Sequence, residues 1–443
     1  MKYLLHVLVI LCLGCSTVSF AQENNWVNTK NLDRYFNALE KHNKFMGTVM
    51  VYRNGEKFYT KSVGYATIED NIPNKRNTVY RIGSISKTVT ATLVFKAIEE
   101  GKLKLSDKLN TWFPSVPNAK SITIQQLLNH HSGIANFTND PNYKTYMTTA
   151  KTEKELVAII AKGGSDFTPG SKAEYSNSNY VLLSYILEHT YNQSFKTIVE
   201  EKISKPLQLE QLRFANGEDI KTITTASYTF AGNWKKAPLT APSIPMGAGG
   251  IVTNADNLAQ FGVALFNHKI INEKSLATME TLTDEYGSGL FKFPFNDKYA
   301  YGHMGSIDGY RSTLGYFPEE NLCFVILANG LNYDSNEITI ALLSAMFNKP
   351  FEIPNFETTE ISAETLQQYV GIYTTPQLPL DITFTISGTT LMGQGTGQPA
   401  FPLEYKGDHT FTNNMAGIKI IFNPDNNTMI LEQGGGTFTF TQK

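Results

Sequence analysis

The stretch of sequence that decides the fold is Ser84-Ile85-Ser86-Lys87-Thr88-Val89-Thr90-Ala91-Thr92-Leu93-Val94-Phe95-Lys96-Ala97-Ile98-Glu99-Glu100-Gly101. Its apolar residues recur every three or four positions, which is typical of a helix with one buried face. Gly101 stands where the C-cap of that helix is expected. Ser84 and Lys87 would share one helix face, and the helix N-terminus adds positive potential that favours a developing alkoxide. The stretch therefore predicts a nucleophilic serine beside an amine at the start of a helix.

The sequence on either side of this helix predicts an antiparallel sheet with helices. Residues 47 to 66 indicate a hairpin, because Asn54-Gly55 supplies the positive φ of a tight turn. Residues 85 to about 245 look mainly helical, and Thr253 to Asp256 predicts a capping box that opens a helix through Phe266. Residues 299 to 330 contain alternating apolar and polar residues as well as continuous apolar runs, which is typical of adjacent antiparallel strands. Further helical patterns cover residues 121 to 129, 152 to 162 and 179 to 190, and strand turns are expected at Gly305, Gly309 and Pro318.

Near residue 350 the composition changes, through Pro350 and Pro354, into a Thr-rich tail. Short β-type runs recur in the tail between Gly, Asn and Asp turns, which predicts a small antiparallel barrel or sandwich. The clearest runs are Ile382 to Ile386, Ile418 to Phe422, Met429 to Glu432 and Thr437 to Thr441. We therefore expect a signal peptide over residues 1–21, a main domain over 22–350 and a small β domain over 357–443.

The N-terminus predicts export. A basic residue precedes the apolar run Leu4 to Leu13, and the small-residue exit Ser19-Phe20-Ala21 would start the mature chain near Gln22. About ten apolar residues cannot cross a bilayer, which needs about twenty, and no later stretch of sequence is long enough to span one. A lipoprotein signal is the weaker alternative, because Cys12 stands where Leu would precede a modified Cys15. The expected location is periplasmic or secreted.

Composition argues against several other classes of protein. The 443 residues carry 38 Lys+Arg against 40 Asp+Glu without a Lys/Arg-rich run, so the electrostatic footprint for nucleic acid is missing. Only Cys323 follows the signal segment, which leaves no internal disulfide, and its apolar neighbours predict a buried thiol rather than a nucleophile. The sequence holds no His-Glu-x-x-His or Cys-x-x-Cys motif, so we predict neither a metal nor another cofactor.

Two later segments carry residue types that suit a serine nucleophile. Tyr175, in Glu174-Tyr175-Ser176-Asn177, can exchange a proton, and a nearby cationic lysine would make that proton easier to lose. His303-Met304-Gly305-Ser306 lies on a predicted strand. The edge of that strand could put the Ser306 N–H beside the Ser84 N–H as an oxyanion hole with two donors.

With these motifs in this order, the chain resembles the serine β-lactamase and penicillin-binding-protein superfamily, over about residues 30 to 345. The nearest branch contains class C β-lactamases, DD-carboxypeptidases, D-aminopeptidases and esterases. It has Tyr-x-Asn as its second element and, in some members, His-x-Gly as the third. Further similar segments are Leu127-Leu128-Asn129-His130-His131-Ser132-Gly133, Gly247-Ala248-Gly249-Gly250 and Gly302-His303-Met304-Gly305 with Gly309-Tyr310. The resemblance implies an α/β (α+β) β-lactamase/transpeptidase-like fold with an antiparallel sheet flanked by helices and a helical subdomain, followed by a small all-β, lipocalin-like barrel.

The resemblance also implies the roles of the site residues. Ser84 would attack a carbonyl, Lys87 and Tyr175 would move the proton, and Tyr175 would later activate water. Asn177 would orient Lys87 and the substrate, and Gly305 and Ser306 would lie beside the bound substrate.

His303 is the departure that bears on the substrate. In β-lactamases the third element usually supplies a lysine that holds the drug's carboxylate, whereas a histidine is mostly neutral at pH 7 and gains charge toward pH about 6.5. Arg311 could meet a substrate carboxylate, but a surface ion pair is the better interpretation from the sequence. This weakens the β-lactamase interpretation and favours D-amino peptides, peptidoglycan stems or small esters.

We therefore expect an exported serine hydrolase that cleaves amide or ester bonds through a Ser84 acyl-enzyme. Its partner would be a small-molecule or peptide substrate, of which cell-wall fragments are one source, and we expect neither nucleic-acid binding nor a membrane span in the mature chain. The alternatives are a class C-like β-lactamase and a penicillin-binding sensor that acylates without efficient turnover.

Overall fold

A computed structural model of the protein describes residues 28–215, 217, 220, 225–357 and 359–443. The predicted signal peptide lies outside the described residues, so its prediction stands untested. Within these described ranges, no helix is long and apolar enough to cross a membrane.

An antiparallel sheet lies at the centre of residues 29–346, which we name the sheet domain. Strands of this domain are β1 (Phe45–Arg53), β2 (Glu56–Val63), β3 (Tyr65–Thr67), β4 (Ile72–Pro73), β5 (Tyr80–Arg81), β6 (Arg213–Phe214), β7 (Tyr228–Phe230), β8 (Trp234–Lys236), β9 (Ile251–Thr253), β10 (Phe291–Phe295), β11 (Lys298–Ile307), β12 (Tyr310–Phe317) and β13 (Leu322–Leu331). The central sheet runs in the order β10-β11-β12-β13-β1-β2, with β7 and β8 attached beside β13. Short strands β5, β9 and β6 form a separate sheet that leads into the Ser84 segment.

Helices cover both faces of the central sheet. The helices of the sheet domain include α1 (Thr29–Lys41), α2 (Ser86–Glu99), α3 (Ile124–Leu128), α4 (Tyr143–Tyr146), α5 (Glu153–Gly163), α6 (Asn177–Tyr191), α7 (Phe195–Val199), α8 (Met246–Gly249), α9 (Ala255–Phe266), α10 (Glu273–Glu280) and α11 (Ser335–Met346). Helices α2 and α9 share one core with Met50 of β1, whereas α1 and α11 share another with Val49 and Val51. This division follows from the alternation of side chains along a strand. The predicted fold, an antiparallel sheet flanked by helices, is confirmed.

The hairpin prediction is confirmed, because β1 and β2 pair on either side of Asn54-Gly55, whose φ angles are +53° and +77°. Two local predictions are wrong. Thr253 lies in β9 opposite Tyr80, so the cap of α9 falls to Asn254, whose side chain accepts a hydrogen bond from the backbone N–H of Asn257 at 2.8 Å.

Gly305 is also not a turn residue, since it lies inside β11, and Asp308-Gly309 forms the turn to β12. A Cβ at position 305 would lie 2.1 Å from the carbonyl oxygen of Ile82. Glycine is therefore needed at this position because β11 and the loop at Ile82 lie too close together for a side chain, and the chain does not turn there.

The tail forms a closed antiparallel barrel of eight strands, which confirms a barrel rather than a sandwich. Helix α12 (Ala363–Leu366) precedes strands β14 (Gly371–Thr374), β15 (Ile382–Ser387), β16 (Thr390–Gly395), β17 (Phe401–Gly407), β18 (Thr410–Asn413), β19 (Ile418–Asn423), β20 (Thr428–Gln433) and β21 (Gly436–Gln442). The barrel interior is filled by aromatic and aliphatic side chains, including Phe384, Phe422 and Phe440. Lys44 of the sheet domain and Glu404 of the barrel form an ion pair of 3.7 Å at their junction.

Candidate active site

Ser84 lies in a tight turn between a strand and a helix. Strand β5 leads through Ile82 into a 3₁₀ turn, Gly83–Ile85, and α2 begins immediately afterwards. Gly83 has φ +48°, and a Cβ there would lie 2.8 Å from the backbone nitrogen of Ser306. A glycine at this position therefore lets the serine turn and β11 approach each other closely.

Lys87 is buried completely and its ammonium nitrogen has three oxygen neighbours. Nζ lies 3.1 Å from Ser84 Oγ, 2.8 Å from Asn177 Oδ1 and 2.8 Å from the carbonyl oxygen of Ala248. Burial holds the pKa of Lys87 well below its ordinary value of 10.5. A neutral amine has two hydrogens and one lone pair, and the Asn177 and Ala248 oxygens can only accept. The lone pair is then left for the Ser84 hydroxyl, which is the arrangement of a general base.

Asn177 is held so that its oxygen faces Lys87. Its Nδ2 donates to Thr138 Oγ1 at 3.1 Å, and its backbone N–H donates to Asn136 Oδ1 at 3.1 Å at the start of α6. Both ends of the amide have partners, so the carboxamide is fixed in one orientation. The Asn177 oxygen is therefore held at 2.8 Å from Lys87 Nζ.

Tyr175 lies beside Ser84 and Lys87, with its ring centroid 4.9 Å from Lys87 Nζ. The rings of His130 and His303 flank it, with centroids at 4.6 Å and 6.4 Å. Burial raises the pKa of Tyr175, and a hydrogen bond with Ser84 only partly opposes this shift. The expectation that this phenol loses its proton easily is therefore wrong, because desolvation disfavours the phenolate and the neighbouring lysine is itself driven toward its neutral form.

His303 is buried beside Tyr175. It is 3% exposed, its Nδ1–H donates to the carbonyl oxygen of Met304, and its ring meets Phe291 edge to face at 4.8 Å. Burial, together with the charge of Lys87, lowers the pKa of His303 to about 3. The expectation that this imidazole becomes charged near pH 6.5 is therefore wrong, since desolvation penalises the cation.

A cavity of about 280 Å³ opens beside Ser84, and its described lining does not include His303. Gly305 and Ser306 line it, together with exposed Met304. The side chains of Met304 and Ser306 point to the face of β11 opposite to that of His303, because side chains alternate along a strand. The deeper wall is apolar and includes Phe45, Ile326, Leu331 and Ile338. The cavity can thus accept an apolar group beside Ser84.

Arg311 lines the same cavity, contrary to its expected place in a surface ion pair. Its Nη1 donates to the carbonyl oxygen of Tyr310 at 2.8 Å, and no carboxylate among the described residues pairs with it. The sequence contained a partial indication of this position, since Arg311 follows the third motif closely on the next strand. Only the register of the β11–β12 hairpin places Arg311 directly opposite Ser306.

Sequence reasoning also missed the carbonyl oxygen of Ala248 and the buried pair Arg81–Asp308. The run Gly247-Ala248-Gly249-Gly250 was a usable signal for the first, because small residues allow close backbone approach. A Cβ at Gly247 would lie 2.7 Å from the side chains of Ser184 and Thr90. No local pattern indicated the second, since its two residues are 227 positions apart.

Comparisons with known proteins identify the family to which the sheet domain is similar. Residues 32–345 match the family model described as Beta-lactamase. Penicillin-binding protein 4* of Bacillus subtilis (strain 168) is 25% identical over 381 residues, covering 78% of this chain and 82% of that protein. The teichoic acid D-alanine hydrolase of Staphylococcus aureus (strain NCTC 8325 / PS 47) is 26% identical over 293 residues, covering 66% of this chain and 69% of that protein.

Two solved structures are similar in fold, and the first of them extends beyond the sheet domain. The octameric penicillin-binding protein homologue from Pyrococcus abyssi has a TM-score of 0.69 at 22% identity, covering 93% of this chain and 100% of that one. A D-stereospecific amidohydrolase from Streptomyces sp. has a TM-score of 0.58 at 28% identity, covering 68% of this chain and 94% of that one.

Proposed function

Because the chain belongs to the beta-lactamase family, we propose that it is a serine hydrolase that forms an acyl-enzyme on Ser84. The observation that carries the proposal is the environment of Lys87. Its buried Nζ faces Ser84 Oγ at 3.1 Å, while Asn177 and Ala248 occupy two further directions with oxygens that only accept hydrogen bonds. Such an amine is set up to remove the hydroxyl proton.

The proposed reaction has two halves. As Ser84 Oγ attacks the carbonyl carbon, its proton passes to Lys87 Nζ, and the backbone N–H groups of Ser84 and Ser306 stabilise the oxyanion. The proton then reaches the leaving nitrogen or oxygen through the Tyr175 hydroxyl, which donates one proton and accepts another. In the second half, water attacks the Ser84 ester with the same groups acting in reverse, and the acid is released.

The proposed substrates are D-amino amides or peptides, D-alanyl esters and small esters. The names of two similar proteins, a teichoic acid D-alanine hydrolase and a D-stereospecific amidohydrolase, support this range of substrates. Carboxylate-bearing substrates, including β-lactams, are a second candidate class. Arg311 favours this class, because it offers the cavity a cation that His303 does not.

We also propose that the protein acts outside the cytoplasm, on the evidence of the predicted signal over residues 1–21. Expression of the full chain should release a product whose N-terminus lies near Gln22. A cytoplasmic product that begins at Met1 would contradict this part of the proposal.

Intact mass spectrometry with a fluorophosphonate and a labelled penicillin tests the mechanism. We expect a single adduct on Ser84, lost in Ser84→Ala and kept in the control Ser335→Ala, which changes an exposed serine of the same cavity. An adduct on another residue would contradict the proposal. A panel of p-nitrophenyl esters, D-amino acid p-nitroanilides and nitrocefin then separates the substrate classes, and acylation without turnover on all of them would identify a sensor instead of a hydrolase.

A further inference from the structure

A buried ion pair joins the two segments that flank the proposed oxyanion hole. Arg81 ends β5 three residues before Ser84, and Asp308 lies in the β11–β12 turn two residues after Ser306. Nη1 of Arg81 donates to Oδ2 of Asp308 at 2.7 Å, and both side chains are shielded completely from solvent.

Thr240 connects to both members of this pair. Its carbonyl oxygen accepts a second hydrogen bond from Arg81 Nη1 at 2.8 Å. Its backbone N–H and its hydroxyl donate to Oδ1 of Asp308 at 3.1 Å and 2.6 Å. Each carboxylate oxygen therefore has its own donor, and the turn cannot slide along β5 without breaking one of these bonds.

A buried ion pair is a weak source of stability, because removing two charges from water costs about as much as their attraction returns. Apolar side chains of similar volume often serve stability equally well or better. The pair therefore calls for a role other than stability, and fixing the relative position of two segments is a role attested for buried polar groups.

The contacts around Gly83 show what this position controls. The Ser306 nitrogen faces Gly83 across a gap too small for a side chain, and Ser312 Oγ donates to the carbonyl oxygen of Ile82 at 2.8 Å. A displacement of the β11–β12 turn would therefore be transmitted to the Ser306 N–H. Oxyanion donors act at 2.7–3.1 Å from the oxyanion, so a small displacement weakens them.

We propose that the Arg81–Asp308 pair, bridged by Thr240, is a positioning element that holds the Ser306 N–H at its working distance from the Ser84 N–H. The inference rests on the proposed function, because it presumes that these two N–H groups bind an oxyanion. Neither Arg81 nor Asp308 touches the substrate.

The test is the double variant R81M/D308L, which removes both charges and leaves neither unpaired. We expect its melting temperature to stay near that of the wild type, while kcat for a p-nitrophenyl ester falls between tenfold and a hundredfold with KM within twofold. The inhibition constant of phenylboronic acid should rise by the same factor as kcat falls, because its tetrahedral adduct on Ser84 places an oxygen in the hole. A purely structural pair would leave the ratio of boronate to substrate affinity unchanged.

Matched variants separate the possible outcomes. The control K298M/E320Q removes an ion pair at the far end of β11 and should leave kcat within twofold of the wild type. Should R81M/D308L fail to fold, T240V decides, since it deletes one Asp308 donor from a nearly isosteric side chain and should lower kcat threefold to tenfold with a parallel rise in the boronate constant. A folded R81M/D308L or T240V with wild-type kcat and boronate binding would overturn the inference. Absence of Ser84 labelling in the wild type would instead overturn the proposed function.

Discussion

The sheet domain and the barrel bury different kinds of side chain. Among the described residues, every buried lysine, arginine and histidine lies in the sheet domain, and Lys87, Arg81 and His303 are within the elements that form the site. The barrel interior is filled by aromatic and aliphatic groups around Phe422. Buried polar groups are energetically costly unless they have partners, so their concentration is typical of a functional site and agrees with the site that we propose.

The partners of these groups differ in the same way. Lys87 Nζ has three oxygen neighbours and Arg81 Nη1 has two oxygen acceptors, whereas Phe422 meets Tyr369, Tyr373, Phe384 and Phe411 at ring distances of 4.9–5.6 Å. The interior of the sheet domain controls the charge and the orientation of its buried polar side chains, whereas the interior of the barrel supplies apolar burial. Changes in the two regions should therefore separate activity from stability.

The largest effect is expected at the two residues of the sheet domain that we propose for proton transfer. Lys87→Ala and Tyr175→Phe should each lower kcat/KM by roughly 10² to 10⁴, because each removes a group that would carry the proton. Stopped-flow acylation by a p-nitrophenyl ester measures this loss. The control Lys96→Ala changes a lysine on the same helix whose Nζ donates to the carbonyl oxygen of Ile270, away from Ser84, and it should keep wild-type rates. Losses below tenfold for both site variants would contradict their assignment.

In the barrel, Phe422→Ala should lower the free energy of unfolding of that part by about 3–5 kcal/mol, because it opens a cavity among four aromatic neighbours. The rate of Ser84 acylation should remain unchanged below the unfolding transition. Urea unfolding, followed by far-ultraviolet circular dichroism, measures the free energy of unfolding. Acylation kinetics measure the rate at Ser84. Ile430→Ala, at a position that is 37% exposed, is the control with a small expected effect. Loss of acylation in a folded Phe422→Ala chain would show that the barrel completes the site.

Acid should destabilise the sheet domain through His303. The unfolded chain takes up this proton near pH 6.5, but the folded chain does so only near the lowered pKa of about 3. Between these values the unfolded state binds more protons, so stability falls by about 1.4 kcal/mol per pH unit as the pH decreases. Between pH 7 and pH 5 the wild type should lose about 2 kcal/mol more than His303→Gln, as measured by urea unfolding. Equal losses in the two chains would contradict the buried, neutral imidazole.

The smallest effect concerns substrate choice at the cavity. Arg311→Gln should lower kcat/KM for carboxylate-bearing substrates about tenfold, because an exposed guanidinium contributes a modest charge-assisted hydrogen bond. Neutral esters should be unaffected and serve as the internal control. A parallel loss on both substrate types would indicate that Arg311 shapes the cavity without selecting for charge.

Several features of the molecule follow from local sequence alone. The helix that carries Lys87 follows from an apolar period of three to four residues, and the β1–β2 hairpin follows from the positive φ that Asn54-Gly55 permits. The barrel strands follow from short alternating runs between turns. These features depend on neighbours within a few positions, so a single sequence reveals them.

What only the tertiary structure decided is the environment of each site residue. The directions of the pKa shifts of Tyr175 and His303 come from desolvation by distant segments, and they reverse or enlarge what the isolated side chains suggest. The Ala248 carbonyl reaches Lys87 across 161 positions, and Asp308 reaches Arg81 across 227. Solvent exclusion and long-range contacts are properties of the folded chain. The sequence therefore predicted the residues of the proposed chemistry, and the fold decided how each is charged, oriented and held.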